Sequence, residues 1–124
     1  MKSIFYFLVL ILFLSCSSDE GVEVRDAQLL DKLAVEIADL IESSECSDQS
    51  QCAYIAFGSK PCGGPWGYLV YSTSIDVNLL EYKVNLYNQI QREYNQRNRV
   101  VSDCLVESPP SALICEDGRC RAAD

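Results

Sequence analysis

The stretch Cys52–Ser72, CAYIAFGSKPCGGPWGYLVYS, decides how this chain folds. Its ends alternate and its middle does not. In CAYIAF, Ala53, Ile55 and Phe57 fall on one face, the period of a strand with one buried side. YLVYS, Tyr68 to Ser72, reads as a second strand, and antiparallel pairing across the intervening loop is the simplest topology. That loop, Gly58 to Gly67, holds Pro61, Pro65 and Cys62 among four glycines. Glycine permits positive φ, proline restricts it, and a bridged cysteine ties the loop down. A loop so constrained loses little entropy on binding. Lys60, Pro61, Gly63, Gly64, Pro65, Trp66 and Tyr68 are therefore the candidate binding residues, with Lys60 expected at the surface. Trp66, Tyr68 and Tyr71 supply an aromatic contact surface, or else Trp66 and Tyr68 fold back to cap a small core.

Two amphipathic helices flank this hairpin. In Ala27 to Ser44, Leu30, Leu33, Ile37, Leu40 and Ile41 recur at three-and-four spacing, with Asp31, Glu36, Asp39 and Glu42 opposite. Asp26 is placed to cap that helix and Cys46 to pin its end. The second helix lies within Ile75 to Asn98, with Val77, Leu80, Val84, Tyr87 and Tyr94 as a stripe widened by Leu79, Leu86 and Ile90. Thr73 and Asp76 have capping-box spacing, and Ser74 is an alternative cap. Val100 and Val101 open a short extended segment leading to Cys104, which Pro109-Pro110 ends. Asp117-Gly118 between two short runs signals a two-residue hairpin, which sets Cys115 opposite Cys120. Those two lie within bridging reach of each other, and both can also reach inward to other cysteines. The order predicts an α+β domain over residues 27–124, its helices packed on one face of a small antiparallel sheet.

The N-terminus reads as an export signal. Lys2 precedes the unbroken apolar run Ile4 to Leu14, and Ser15-Cys16 follow. At about 1.5 Å per residue that run covers about 16 Å, roughly half of a ~30 Å hydrocarbon core. Phe13 to Cys16, FLSC, resembles the lipobox of bacterial lipoproteins, with Phe13 where Leu or Val is commoner. The resemblance implies a signal peptide over residues 1–15 and Cys16 as the lipidated first residue, anchoring the chain to a membrane. Ser17 after it does not match the inner-membrane-retention aspartate, and SSDE is similar to acidic tags that send lipoproteins to the cell surface. The implied localisation is the cell envelope, at the outer membrane, facing the periplasm or the surface. The globular part is similar to small cysteine-rich envelope lipoproteins. Residues 16–26 read as the lipidated cysteine and a flexible acidic tether.

Setting Cys16 aside from seven cysteines leaves six: Cys46, Cys52, Cys62, Cys104, Cys115 and Cys120. An even number in a small exported domain predicts three disulfides, with fifteen possible connectivities. Removing residues 1–15 from 124 leaves 109, enough for one small domain. It also takes Lys2 from the ten bases, leaving nine against eighteen acids. Ten of those acids lie between Asp19 and Asp48, against only Arg25 and Lys32. No basic footprint for nucleic acid is present.

With no histidine in the chain, Ser-His-Asp, Cys-His and His-zinc chemistry are excluded. CGGPW resembles the papain-type cysteine signature only superficially, since Gly64 and Pro65 replace its small residue and second cysteine and nothing activates a thiolate. GSKPCGG lacks the Gly-Lys-Ser/Thr ending of a phosphate loop. No cofactor or metal is expected. Asp76, Glu81, Asp103 and Glu107 leave one acid–base route, a carboxylate pair at glycosidase separation, which nothing in the sequence assembles. The expected function is a non-enzymatic, lipid-anchored binding or inhibitor module working through the Gly58–Gly67 loop, its partner a basic hydrolase, another envelope protein or a glycan. The alternative is a structural or assembly component using the helix stripes; a glycan hydrolase ranks last.

Overall fold

A computed structural model describes residues 19–123. The expected signal peptide, Cys16 and the first residues of the tether lie outside them. The order is α1 (Asp19–Glu42), a one-turn 3-10 helix (Gln49–Gln51), β1 (Cys52–Phe57), β2 (Gly67–Ser72), α2 (Val77–Arg97), β3 (Leu113–Glu116) and β4 (Arg119–Ala122). Among the described residues no helix is long and apolar enough to cross a membrane.

The apolar stripes meet as their spacing requires. Leu33 and Ile37 of α1, Leu80 and Val84 of α2 and Tyr71 of β2 form the buried core. Ala53, Ile55 and Phe57 of β1 and Leu69 of β2 pack against it, and the Phe57 and Tyr87 rings stack with centroids 4.4 Å apart. Each aliphatic side chain so buried is worth about 1.5–3 kcal/mol. The helices run antiparallel. Lys83 Nζ meets Glu36 at 2.5 Å near one end, and Arg97 pairs with Asp26 near the other.

That second ion pair corrects the expected start of α1. The chain is already helical at Asp19, so Asp26 is no N-cap and residues 19–26 are not a free tether. Asp26 instead faces the last turn of α2, and Glu23 accepts a 3.5 Å hydrogen bond from the Tyr94 hydroxyl. This stretch leans on α2 through polar groups while Val22 and Val24 stay exposed. It therefore lacks the apolar stripe by which a helix is read. The start of α2 is corrected as well. Asp76 is its N-cap, accepting from the Leu79 amide at 3.0 Å, whereas the Ser74 hydroxyl accepts from the Glu45 amide at 3.0 Å.

β1 and β2 pair antiparallel from Cys52↔Ser72 to Phe57↔Gly67, and β3 and β4 from Leu113↔Ala122 to Glu116↔Arg119. The α+β fold thus carries two two-stranded sheets where one was expected. Asp117 and Gly118 both take positive φ, 51° and 74°, as the tight hairpin turn between β3 and β4 demands. Cys115 and Cys120 are opposite in register but do not bridge each other. The bridges are Cys46–Cys115, Cys52–Cys120 and Cys62–Cys104, spanning 69, 68 and 42 residues. The first two staple the second sheet to the end of α1 and the start of β1. Loop-closure entropy values each bridge at about 4 kcal/mol.

Candidate functional site: the clasped loop

The Gly58–Gly67 loop is carried by α2. Asn88, Gln91 and Asn95, at three-and-four spacing, form a polar ladder along that helix. Asn88 Oδ1 accepts from the Gly58 amide at 2.7 Å while its Nδ2 donates to the Ala56 carbonyl at 3.3 Å. Gln91 Oε1 accepts from the Ser59 amide at 2.6 Å, and Asn95 Nδ2 donates to the Ser59 carbonyl at 2.7 Å. Gly58 is required here twice over. Its φ is +83°, and a Cβ would stand 2.7 Å from Trp66 Cδ1. Further along, the Gly63 amide donates to the Lys60 carbonyl at 2.9 Å, closing a turn with Pro61 in its favoured second position. The Lys60 amide donates to the Gly64 carbonyl at 2.9 Å, and the Trp66 amide to the Phe57 carbonyl at 3.0 Å.

Lys60 is not a surface lysine. Its side chain is 2% exposed. Its ammonium donates to Asp103 Oδ1 at 3.0 Å, the Leu105 carbonyl at 2.8 Å and Glu107 Oε1 at 3.3 Å, and lies 5.2 Å from the Trp66 ring centre. Three acceptors satisfy the three N–H groups that burial would otherwise orphan. The Asp103 hydrogen bond holds Lys60 above its ordinary pKa against the opposing effect of burial. In return the Lys60 hydrogen bond, helped by the Leu105 amide, holds Asp103 below the usual carboxylate value. With the adjacent Cys62–Cys104 bridge, Lys60 clasps the loop to the irregular segment 98–112.

The clasp sorts the expected binding residues. Pro61, Cys62, Gly63 and Gly64 are exposed at the tip, Trp66 is 43% exposed, and Pro65 and Tyr68 are half-buried. Tyr68 packs edge-to-face on Tyr54 at 5.6 Å, while Tyr71 belongs to the core. Lys60 is consumed internally and is unavailable to a partner. The segment it grips presents what the sequence reading missed: Val101, Leu105 and Val106 are 88%, 72% and 90% exposed.

The carboxylates Asp103 and Glu107, which no sequence pattern joined, are brought onto one ammonium. Both balance the charge of Lys60. A glycosidic acid needs a carboxyl whose pKa is raised so that it keeps a proton, and here Lys60 holds Asp103 ionised. Asp76 is occupied as the α2 cap.

Hollows border the fold beside the clasp and beyond it. A polar cleft of about 340 Å³ runs between the loop and α2, with Asn88, Arg92 and Gln96 on its helix side. An apolar one of about 420 Å³ opens between α1 and β2, walled by Ile37, Ile41, Phe57 and Leu69. Arg119 lies at its edge and donates to the Glu42 carbonyl at the end of α1. The chain matches no protein family, no curated protein and no solved structure.

Proposed function

We propose that this chain is a lipid-anchored cell-envelope lipoprotein acting as a non-enzymatic binding or inhibitor module. Its contact surface is composite: the tip Pro61–Gly64 and Trp66 on one side, Val101, Leu105 and Val106 on the other. The observation that carries this reading is the buried Lys60 clasp, which spends a charged side chain and a disulfide on holding exposed apolar residues still. Three aliphatic side chains so close in sequence and so exposed support the reading of a contact surface there. Fixed in advance, they lose little conformational entropy when a partner covers them. Cys16 acylation would supply the anchor. The assembly reading relies on the helix stripes, and much of these packs in the core through Leu33, Ile37, Leu80 and Val84, which favours the loop surface over it.

The test is affinity capture from an envelope extract, using the full chain and a variant carrying Trp66→Ala, Leu105→Asp and Val106→Asp. The Leu105 and Val106 changes, at strongly exposed positions, should each alter stability by no more than about 0.5 kcal/mol. Trp66→Ala also strips a ring from Lys60 and Gly58, so the variant's folding is checked by its denaturant midpoint. A captured partner should be lost from the variant; equal capture by both proteins would refute the loop surface. Metabolic labelling with a fatty acid should mark the wild type and not Cys16→Ser, and labelling of neither would remove the lipid anchor.

A further inference from the structure

The two bridges that staple the second sheet are one sulfur cluster. Cys46 follows α1, Cys52 opens β1, Cys115 lies on β3 and Cys120 on β4. The Sγ atoms of Cys46, Cys52 and Cys120 all lie within 4.8 Å of one another, and Cys115 is bonded to Cys46. Bridged cysteines need only be close in pairs; nothing in a disulfide framework requires two bridges to touch. Three sulfurs converge from three separate segments, and the fourth, Cys115, is bonded to one of them; released from their bridges, the four supply the donor set of a tetrahedral metal site. In such a site Zn–S bonds of about 2.3 Å place the sulfurs about 3.8 Å apart.

The geometry points to a redox-gated zinc site formed by Cys46, Cys52, Cys115 and Cys120 when both bridges are reduced. A dithiol reductant gives each bridge two electrons and two protons and leaves as its own disulfide. The four resulting thiols then release four protons as Zn²⁺ binds, giving a tetrathiolate centre of net charge −2. Each carrier segment is also held by bonds that reduction leaves intact. The Cys46 amide donates to the Gly118 carbonyl at 2.9 Å, and the Thr73 amide to the Gln51 carbonyl, beside Cys52, at 2.8 Å. Cys115 and Cys120 stay opposite through the β3–β4 ladder. Arg119 and Arg121 flank Cys120, adding positive charge beside a centre that needs it, and among the described residues Arg119 makes no ion pair. In the oxidised state the same sulfurs are staples. In the reduced state the metal takes over the crosslink, since a closed tetrathiolate site stabilises the fold that forms it.

The test uses the full chain, reduced with dithiothreitol, freed of reductant under anaerobic conditions and titrated with Co²⁺ and then Zn²⁺. One equivalent of Co²⁺ should give the visible and thiolate charge-transfer bands of a tetrahedral four-sulfur site. Zn²⁺ should displace it stoichiometrically with Kd below about 0.1 µM, the weak end for structural zinc. Near-ultraviolet dichroism lost on reduction should return with the metal. Cys62→Ser with Cys104→Ser should bind as the wild type does, while Cys52→Ser should lose at least tenfold in affinity and shift the bands toward three-sulfur coordination. The proposal is overturned by three results: no tetrahedral bands, binding without recovery of the dichroism, or equal effects of removing Cys52 and Cys62. The oxidised protein serves as the blank and should bind nothing at this site.

Discussion

The Gly58–Gly67 loop and segment 98–112 face each other across one disulfide and are held by different means. The loop is built into the fold, since α2 reaches its first residues with Asn88, Gln91 and Asn95 and its glycines fit their turns. Segment 98–112 has no strand or helix and is borne up by Lys60 and Cys62, both donated by the loop. Rigidity can thus be lent from one region to another that has no means of making its own. The borrower is free to expose apolar side chains, because none of them is needed for its own packing.

The comparison breaks most severely at the bridge. Replacing Cys62 and Cys104 together by Ser should cost about 2–4 kcal/mol in denaturant unfolding. Hydrogen exchange should then speed up at residues 100–107 and remain slow at Gly58 and Ser59; equal acceleration in both regions would show that the loop depends on its neighbour. Gly58→Ala comes next, with a strained φ and a Cβ pressed on Trp66, and should cost about 2 kcal/mol or more with Trp66 fluorescence altered. Asn95→Ala leaves the Ser59 carbonyl buried without its donor, about 1–2 kcal/mol by chemical denaturation.

The smallest effect is the response to pH. Asp103, with Glu36 held down by Lys83 and Asp48 by the Ser50 amide, has a depressed folded pKa. Its contribution is present above the ordinary carboxylate value of 3.8 and fades as pH falls through the lower folded value. Acid should therefore loosen segment 98–112 together with the Glu36 contact between the helices and the turn at Asp48, with the β1–β2 ladder still intact. Lys60, raised by its Asp103 hydrogen bond, and Tyr71 and Tyr87, raised chiefly by burial, behave oppositely. Their contributions are present below the ordinary values of 10.5 and 10.0 and are lost as pH rises through the folded ones. Alkali should weaken clasp and core together. Amide spectra recorded at both extremes should separate the two patterns.

Much of the fold was legible because its signals are local. Alternation in CAYIAF, the Asp117-Gly118 turn and the stripes through Leu33, Ile37, Leu80 and Val84 each sit within a few residues. Six cysteines announced three bridges without their pairing, since pairing is set by how the elements come together. Lys60 escaped for the same reason: its acceptors lie 43 to 47 residues away, and nothing near Pro61 tells a buried lysine from a solvated one. The Asn88, Gln91 and Asn95 ladder had helical spacing in plain view. It was missed because a polar stripe on a helix ordinarily faces water, and here it faces the backbone of a glycine-rich loop.

Among the described residues, every bridge joins the first half of the chain, at Cys46, Cys52 and Cys62, to the second, at Cys104, Cys115 and Cys120. A chain threaded through a membrane from its N-terminus would deliver three thiols well before any correct partner arrived. For that interval each available pairing among them is wrong. Such a protein profits from slow oxidation or from an isomerase at its point of emergence, and its yield should fall wherever oxidation outruns translocation.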